Sequence, residues 1–371
     1  MRLSFVKSIC LVLLTNSFAF SQTQLKAQFT EDFWDIKAEN FAFSNYKGKP
    51  SLYLEKGAAI LKDAKLKNGI IEYDVNFSQG RKFAMIQFRH CDDKNYEEFY
   101  LRAHQSGNPD AMQYTPVFNG VSGWQLYHGK GYSGAYHYNF EEWMHVKLVI
   151  HNNKMDVFLN DMSQPVLHVH DLKREPVSGG LGFYSLLGGA HYANLTYQEI
   201  EEPKLIGVSR ATPELEEGVL LDWEVSKLFD KKDLNGVVNL KRHSEYASGE
   251  WSPLATEYDG KLNLAKVGMK TKEKNTVFAK TIIPSEKRQI KKLSFGFSDD
   301  VIIYVNNKVV YSGYNRFRSR DYRYLGTIGY FDSIYLTLTK GKNEVVFAVS
   351  ETMGGWGLKA KLKDIETSNL D

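Results

Sequence analysis

The stretch 99–129, FYLRAHQSGNPDAMQYTPVFNGVSGWQLYHG, holds the densest set of groups in the chain that could do chemistry. It opens as a strand in which Tyr100, Arg102 and His104 share one side while Phe99, Leu101 and Ala103 share the other. Gly107, Asn108, Pro109 and Asp110 then form a turn-rich loop. Extended structure resumes around 113–118, turns at Asn119-Gly120, and continues through Trp124 to His128. A hydrophobic core has no need of Arg102, His104, Gln113, Gln125 and His128 so close together. A sugar-binding surface does, because an aromatic ring stacks on the C–H face of a pyranose while amides and guanidinium groups bind its hydroxyls. The candidate ligand-binding residues are Arg89, Tyr100, Arg102, His104, Gln113, Tyr114, Trp124, Gln125 and Tyr127, with Trp124, Tyr127 and Tyr114 as stacking platform. The plainer reading is a sheet with one aromatic-rich solvent face.

Glycosidic cleavage needs two carboxylates, about 5–5.5 Å or about 6.5–9.5 Å apart. Glu98 shares the parity of Tyr100 and Arg102, and Asp110 lies in the following loop, so these two are the candidate catalytic pair. Glu72 and Asp74 share a strand face and read as solvated. No metal site is expected. His168 and His170 have strand spacing on one face, but two histidines need a third ligand from elsewhere. Asp92, Asp93 and Asn95 form a short oxygen-rich turn, the place where the sequence offers ligands to calcium. No cofactor is otherwise expected. Nothing matches a phosphate loop, a dinucleotide fingerprint or a G-x-S-x-G elbow.

The elements that must position these groups are strands. The chain has 371 residues, enough for two domains, and is 43% hydrophobic and 13% aromatic. A net charge of +3 and the lack of a long Lys/Arg block argue against a nucleic-acid partner. Arg2 and Lys7 precede an apolar run, and Ala19 and Ser21 have the spacing of a cleavage site, so residues 1–21 read as a signal peptide. The expected location is secreted or periplasmic, with no integral membrane segment after cleavage. Cys91 is then the one remaining cysteine, so stability must come from core size.

Period-two segments dominate residues 29–200: IIEYDVNF, FAMIQFRH, EFYLRAH, WMHVKLVIH and KMDVFLND, with a tight turn at Asn152-Asn153. The fold class expected is all-β, two antiparallel β-sandwich (jelly-roll) domains after the signal peptide. The segments NGIIEYDVNF, EEWMHVKLVIHNNKMDVFLND and SGGLGFYSLLGGAHYANLTYQEI resemble the laminin-G and concanavalin-like lectin/glucanase jelly roll, a layout shared by the 3-keto-disaccharide hydrolase domain family. Family 16 glucanases on that fold carry E-x-D-x-x-E. Here Glu72 and Asp74 are followed by Phe77, which cannot ionise, so the resemblance does not imply that mechanism.

A polar connector at 201–214 leads to a second sandwich at 215–371. Its segments FGFSDDVIIYVNNKVVYSG, GKNEVVFAVSE and GGWGLKAKL resemble the galactose-binding-like jelly roll of family 2 glycosidases and many carbohydrate-binding modules. In such domains ligands meet loops at one rim, which implies residues 314–324, rich in arginine and aromatics, as a rim loop; packing against the first domain is the alternative. Trp356 reads as core.

Three functions remain open. The leading one is an exported protein that binds a poly- or oligosaccharide in the groove of the first sandwich. The second is a glycoside hydrolase acting in that groove, and the third a structural or adhesive surface protein.

Overall fold

The computed structural model describes residues 23–320 and 325–365. The expected signal peptide lies outside the described residues, as do positions 321–324 of the rim loop. The described chain is nearly all β and its sheets are antiparallel.

In the first sandwich the strands longer than two residues are β1 (Trp34–Tyr46), β2 (Lys49–Leu66), β3 (Gly69–Asn76), β4 (Phe83–Asp92), β5 (Asn95–Arg102) and β6 (Met112–Phe118). They are followed by β7 (Met144–His151), β8 (Lys154–Leu159), β9 (Leu167–Val169) and β10 (Gly179–Glu199). The order is β9-β8-β7-β3-β10-β4-β5-β6, with β2 also on β10 and β1 on β2. The 21-residue β10 organises both layers. Its first part pairs with β4, its last part pairs with β3, and β2 runs beside it. The register slips between Ser185 and Gly189, where the strand passes from one layer to the other. Glycine leaves room there for the Tyr53 ring, whose hydroxyl oxygen a Cβ on Gly189 would meet at 2.3 Å and displace.

Alternation explains the core. Ile71, Tyr73 and Val75 point inward from β3, Ile86 and Phe88 from β4, Phe99 and Leu101 from β5. Each buried side chain of this size contributes about 1.5–3 kcal/mol. Phe77 belongs to the same core, edge-on to Tyr138 at 5.3 Å. A carboxylate could not replace it without burying an unpaired charge.

The second sandwich contains β11 (Thr276–Ser285), β12 (Gln289–Ser298), β13 (Asp300–Val305) and β14 (Lys308–Tyr314). It continues with β15 (Asp332–Leu338), β16 (Gly341–Ser350) and β17 (Gly357–Asp364). One sheet runs β11-β16-β13-β14 and the other β17-β12-β15, each extended by short edge pairs. Phe295, Phe297, Ile303, Phe347 and Trp356 fill the space between.

The connection from β6 to β7 is wedged between the two sandwiches. Gln125 Nε2 donates to Leu325 O at 2.6 Å, and its Oε1 accepts from Ser298 Oγ at 2.8 Å. Asn119 Nδ2 donates to Ala265 O at 2.8 Å, and Tyr127 donates to Glu257.

Candidate functional site

One outer face of the first sandwich gathers a polar and aromatic cluster. Register sets it: Phe83 of β4 lies opposite Arg102 of β5, and Tyr100 lies opposite Gln113 of β6. Gln113 Nε2 donates to the carbonyls of Trp124 at 2.9 Å and Tyr127 at 2.5 Å. Its Oε1 is thereby turned to accept from Arg102 Nη2 at 2.7 Å and the Tyr100 hydroxyl at 2.9 Å. Arg102 Nη1 donates to Asp110 Oδ2 at 2.6 Å. The guanidinium carbon lies 5.1 Å from the Tyr100 ring centre, 5.8 Å from Phe83 and 5.9 Å from Trp124. Three aromatic rings and one carboxylate therefore hold a single, nearly buried cation.

Two histidines complete the cluster. His104 sits in the short helical turn after β5, 5.1 Å from Phe83 between ring centres. Burial, reinforced by the Arg102 charge, pushes the His104 and His128 imidazoles below their ordinary value. The shift favours the neutral form, in which one ring nitrogen donates and the other accepts. Arg102 Nε, His104 Nδ1 and His128 Nε2 are all shielded from solvent and have no hydrogen-bond partner among the described residues. Such groups are rare in folded proteins, because each costs about 1–3 kcal/mol when left unpaired.

The structure brings together Tyr100, Arg102, His104, Gln113 and Trp124 from the sequence-derived set, and it withdraws the other four. Tyr114 is fully buried, donates to Glu97 and accepts from Lys173 N at 2.8 Å. Tyr127 is equally buried and is spent on Glu257 and Asn263 across the seam. Neither ring has a face to offer, so of the proposed stacking platform Trp124 alone is partly exposed. Gln125 faces the second sandwich instead of a groove. Arg89 is sealed in the interior by Glu97 at 3.0 Å, Lys67 O at 2.8 Å and Asn152 O at 2.6 Å.

The candidate acids do not form an acid–base pair. Glu98 Oε1 accepts from Thr115 Oγ1 at 2.8 Å and Ser122 Oγ at 2.9 Å, and burial raises its carboxyl above the ordinary range. Asp110 is engaged by Arg102, and Tyr100 and Arg102 follow Glu98 along the same strand face. The Glu72–Asp74 face is also unlike its sequence reading. His145 lies between them, with Nδ1 2.7 Å from Asp74 and Nε2 3.1 Å from Glu72, and Lys49 caps Asp74 at 2.6 Å. The oxygen-rich turn satisfies itself: Asp92 accepts from Lys94 N and Asn95, and Asp93 pairs with Lys37. Among the described residues no group of three or more His, Cys, Asp or Glu is arranged to hold a metal.

Sequence reasoning missed Phe83 and Lys173 as site residues, whereas Phe317 follows the packing alternative given for the rim loop. Phe317 of the rim loop meets Trp124 edge-on at 5.9 Å, so the described part of that loop packs on the first sandwich. Lys173, nearly buried, bridges Asp171 and Glu257 beside a cavity of about 480 Å³ at the seam. The ammonium fills the gap between those carboxylates and locks the seam. Register across β4 and β5 could have found Phe83. Glu257 lies 84 residues from Lys173, and no local pattern links them.

No protein-family model matches the chain. No curated protein sequence matches it either. Among solved structures it is similar to the carbohydrate binding module CBM66 from Bacillus subtilis, at 16% identity and a TM-score of 0.36, covering 45% of this chain and 96% of that one. A Bacillus subtilis protein with a galectin-like fold matches at 11% identity and a TM-score of 0.35, over 45% of this chain and 90% of the other. The GH43 protein BlXynB from Bacillus licheniformis matches at 12% identity and a TM-score of 0.34, over 46% of this chain and 38% of its own length.

Proposed function

We propose that the first sandwich binds a poly- or oligosaccharide at the Arg102 cluster, as a binding module and not as a hydrolase. The observation that carries this reading is the trio of unpaired, shielded polar atoms around one guanidinium: Arg102 Nε, His104 Nδ1 and His128 Nε2. Arg102 sits beside Trp124, the partly exposed ring, and Phe83, and His104 meets Phe83 edge-on. Sugar hydroxyls both donate and accept, so once side-chain movement opens these shielded atoms they can satisfy a guanidinium N–H and neutral imidazoles at once. The ring of Trp124 supplies an apolar face for stacking. A hydrolase would need a second free carboxylate facing the same space, and Asp110 is already paired with Arg102.

In this reading residues 1–21 direct export. A concanavalin-like sandwich at 29–200 carries the site, and a galactose-binding-like sandwich at 215–371 buttresses it through Phe317. The test is a polysaccharide panel, scored by affinity electrophoresis and calorimetry, with reducing ends measured in the same samples. Trp124→Ala should weaken binding by about 1–3 kcal/mol while the melting transition is retained. Binding unchanged in both Trp124→Ala and His104→Ala would remove the site. Release of reducing ends that is lost in Glu98→Gln would replace the binding module by a hydrolase.

A further inference from the structure

We propose that Ser209, His168 and Asp156 form a separate esterolytic site on the far edge of the first sandwich, acting on small carboxylic esters. Asp156 of β8 and His168 of β9 are cross-strand partners. Asp156 is fully buried, and its Oδ2 accepts from the backbone N–H of Ile206 at 2.7 Å and Gly207 at 2.9 Å. Its Oδ1 lies 2.5 Å from His168 Nδ1. In the tautomer with its proton on Nδ1, His168 donates to Asp156 and Nε2 presents its lone pair. That lone pair faces Ser209 Oγ at 2.9 Å. The order is nucleophile, base and buried orienting acid, within the hydrogen-bond reach that activates a serine.

Gly207 makes the arrangement possible. A Cβ there would sit 2.3 Å from Asp156 Oδ1 and 2.4 Å from His168 Nδ1. Glycine lets the backbone lie flat on the carboxylate–imidazole pair and shield it, while delivering Ser209 two residues later to the exposed side. A cavity of about 200 Å³ opens beside His168, lined also by Lys130, Gly131, His170 and the two chain neighbours of Ser209, Val208 and Arg210, while Ser209 itself stands outside its wall. It has room for a short acyl group, and Lys130 and Arg210 give its wall positive charge, the sign that favours a developing oxyanion.

The chemistry balances without a cofactor. Ser209 Oγ bonds to the ester carbonyl carbon as its proton passes to His168 Nε2. The tetrahedral adduct collapses, the bond to the alcohol oxygen breaks, and that oxygen takes the proton from His168. Water, deprotonated by His168, then adds to the acyl-serine, the acid departs, and Ser209 recovers its proton.

The test uses the purified full chain with 4-nitrophenyl acetate and, separately, a fluorophosphonate probe. Nitrophenol release above buffer and a probe adduct mapped by peptide mass to Ser209 are expected. Ser209→Ala should abolish both at an unchanged melting temperature, since its side chain is exposed. His168→Gln should abolish hydrolysis as well. No hydrolysis by the wild type, hydrolysis undiminished in Ser209→Ala, or an adduct on a different residue would each overturn the site.

Discussion

Arg89 and Arg102 stand on neighbouring strands and have opposite roles. Arg89 donates to Glu97, Lys67 O, Asn68 and Asn152 O, so its Nε, Nη1 and Nη2 are all engaged. Arg102 keeps Nε unpaired. Strand parity places both on the outer face, and for Arg89 parity misleads. Arg89 has φ of 46°, and the β4–β5 register slips between Phe88 and Asp92. That bulge carries its side chain to the side of Glu97, which shares the parity of the core residue Phe99. A bulge of this kind has no compositional mark, which is why Arg89 was not legible as an interior residue. Removing one partner of a buried ion pair costs about 3–5 kcal/mol. Arg89→Met should therefore lower unfolding free energy by about that amount in urea, while the folded fraction binds saccharide as the wild type does. A variant of normal stability with lost binding would return Arg89 to the site.

At the level of elements, the strands with clean alternation were legible: β3, β5, β7 and β8, and β4 up to its bulge after Phe88, follow the period-two pattern of the sequence. β1 and β2 were not. β1 is mostly exposed, and positive φ at Lys56 and Asp63 interrupts the alternation of β2. Cross-strand partners were likewise out of reach, because register is a long-range property. His145 illustrates the consequence, for it lies opposite Asp74. Hydrogen bonds to Asp74 and then Glu72 raise its imidazole to about 9. Burial alone would raise the Asp74 carboxyl, but hydrogen bonds from His145, Lys49 and Asn194 outweigh it and hold it at about 2. The raised imidazole stabilises the fold fully below its unfolded value of about 6.5 and loses that contribution as pH climbs through about 9. The depressed carboxyl contributes above its ordinary value of 3.8, and that contribution fades as pH falls through about 2. His145 is more than a third exposed, so screening reduces its share to about 1 kcal/mol or less. His145→Gln should remove the decline in melting temperature between about pH 6.5 and 9 that the wild type shows. Superimposable profiles would mean that the network does not stabilise the fold.

On the scale of the whole molecule, the candidate site and the seam are adjoining parts of one loop. Trp124 faces Arg102 and Phe317, and the next residue, Gln125, grips the second sandwich. Besides its side-chain bonds, Gln125 N donates to Gly354 O at 2.8 Å and its carbonyl accepts from Ile328 N at 3.3 Å. The grip ends on Ser298, whose single hydroxyl proton faces three acceptors: Gln125 Oε1 at 2.8 Å, Asp299 Oδ1 at 3.2 Å and Glu351 Oε2 at 3.5 Å. One proton cannot satisfy three oxygens, so the arrangement favours a neutral acid among them. Burial, and then the neighbouring Asp299 charge, push Glu351 well above the ordinary carboxyl range, against a weaker opposing pull from Lys270. The sign is opposite to that of Asp74. Between the unfolded value of 4.5 and the higher folded one, the native state binds more protons, so stability falls as pH rises. Glu351→Gln keeps the shape of the neutral acid and cannot ionise. Its melting temperature, followed from pH 4 to 8, should gain steadily on the wild type as pH increases. The gain should vanish when Gln125→Ala has already opened the seam, because the buried acid then reaches water. Parallel curves for Glu351→Gln and wild type across this range would mean that Glu351 ionises at no cost, and that the seam holds without a shared proton.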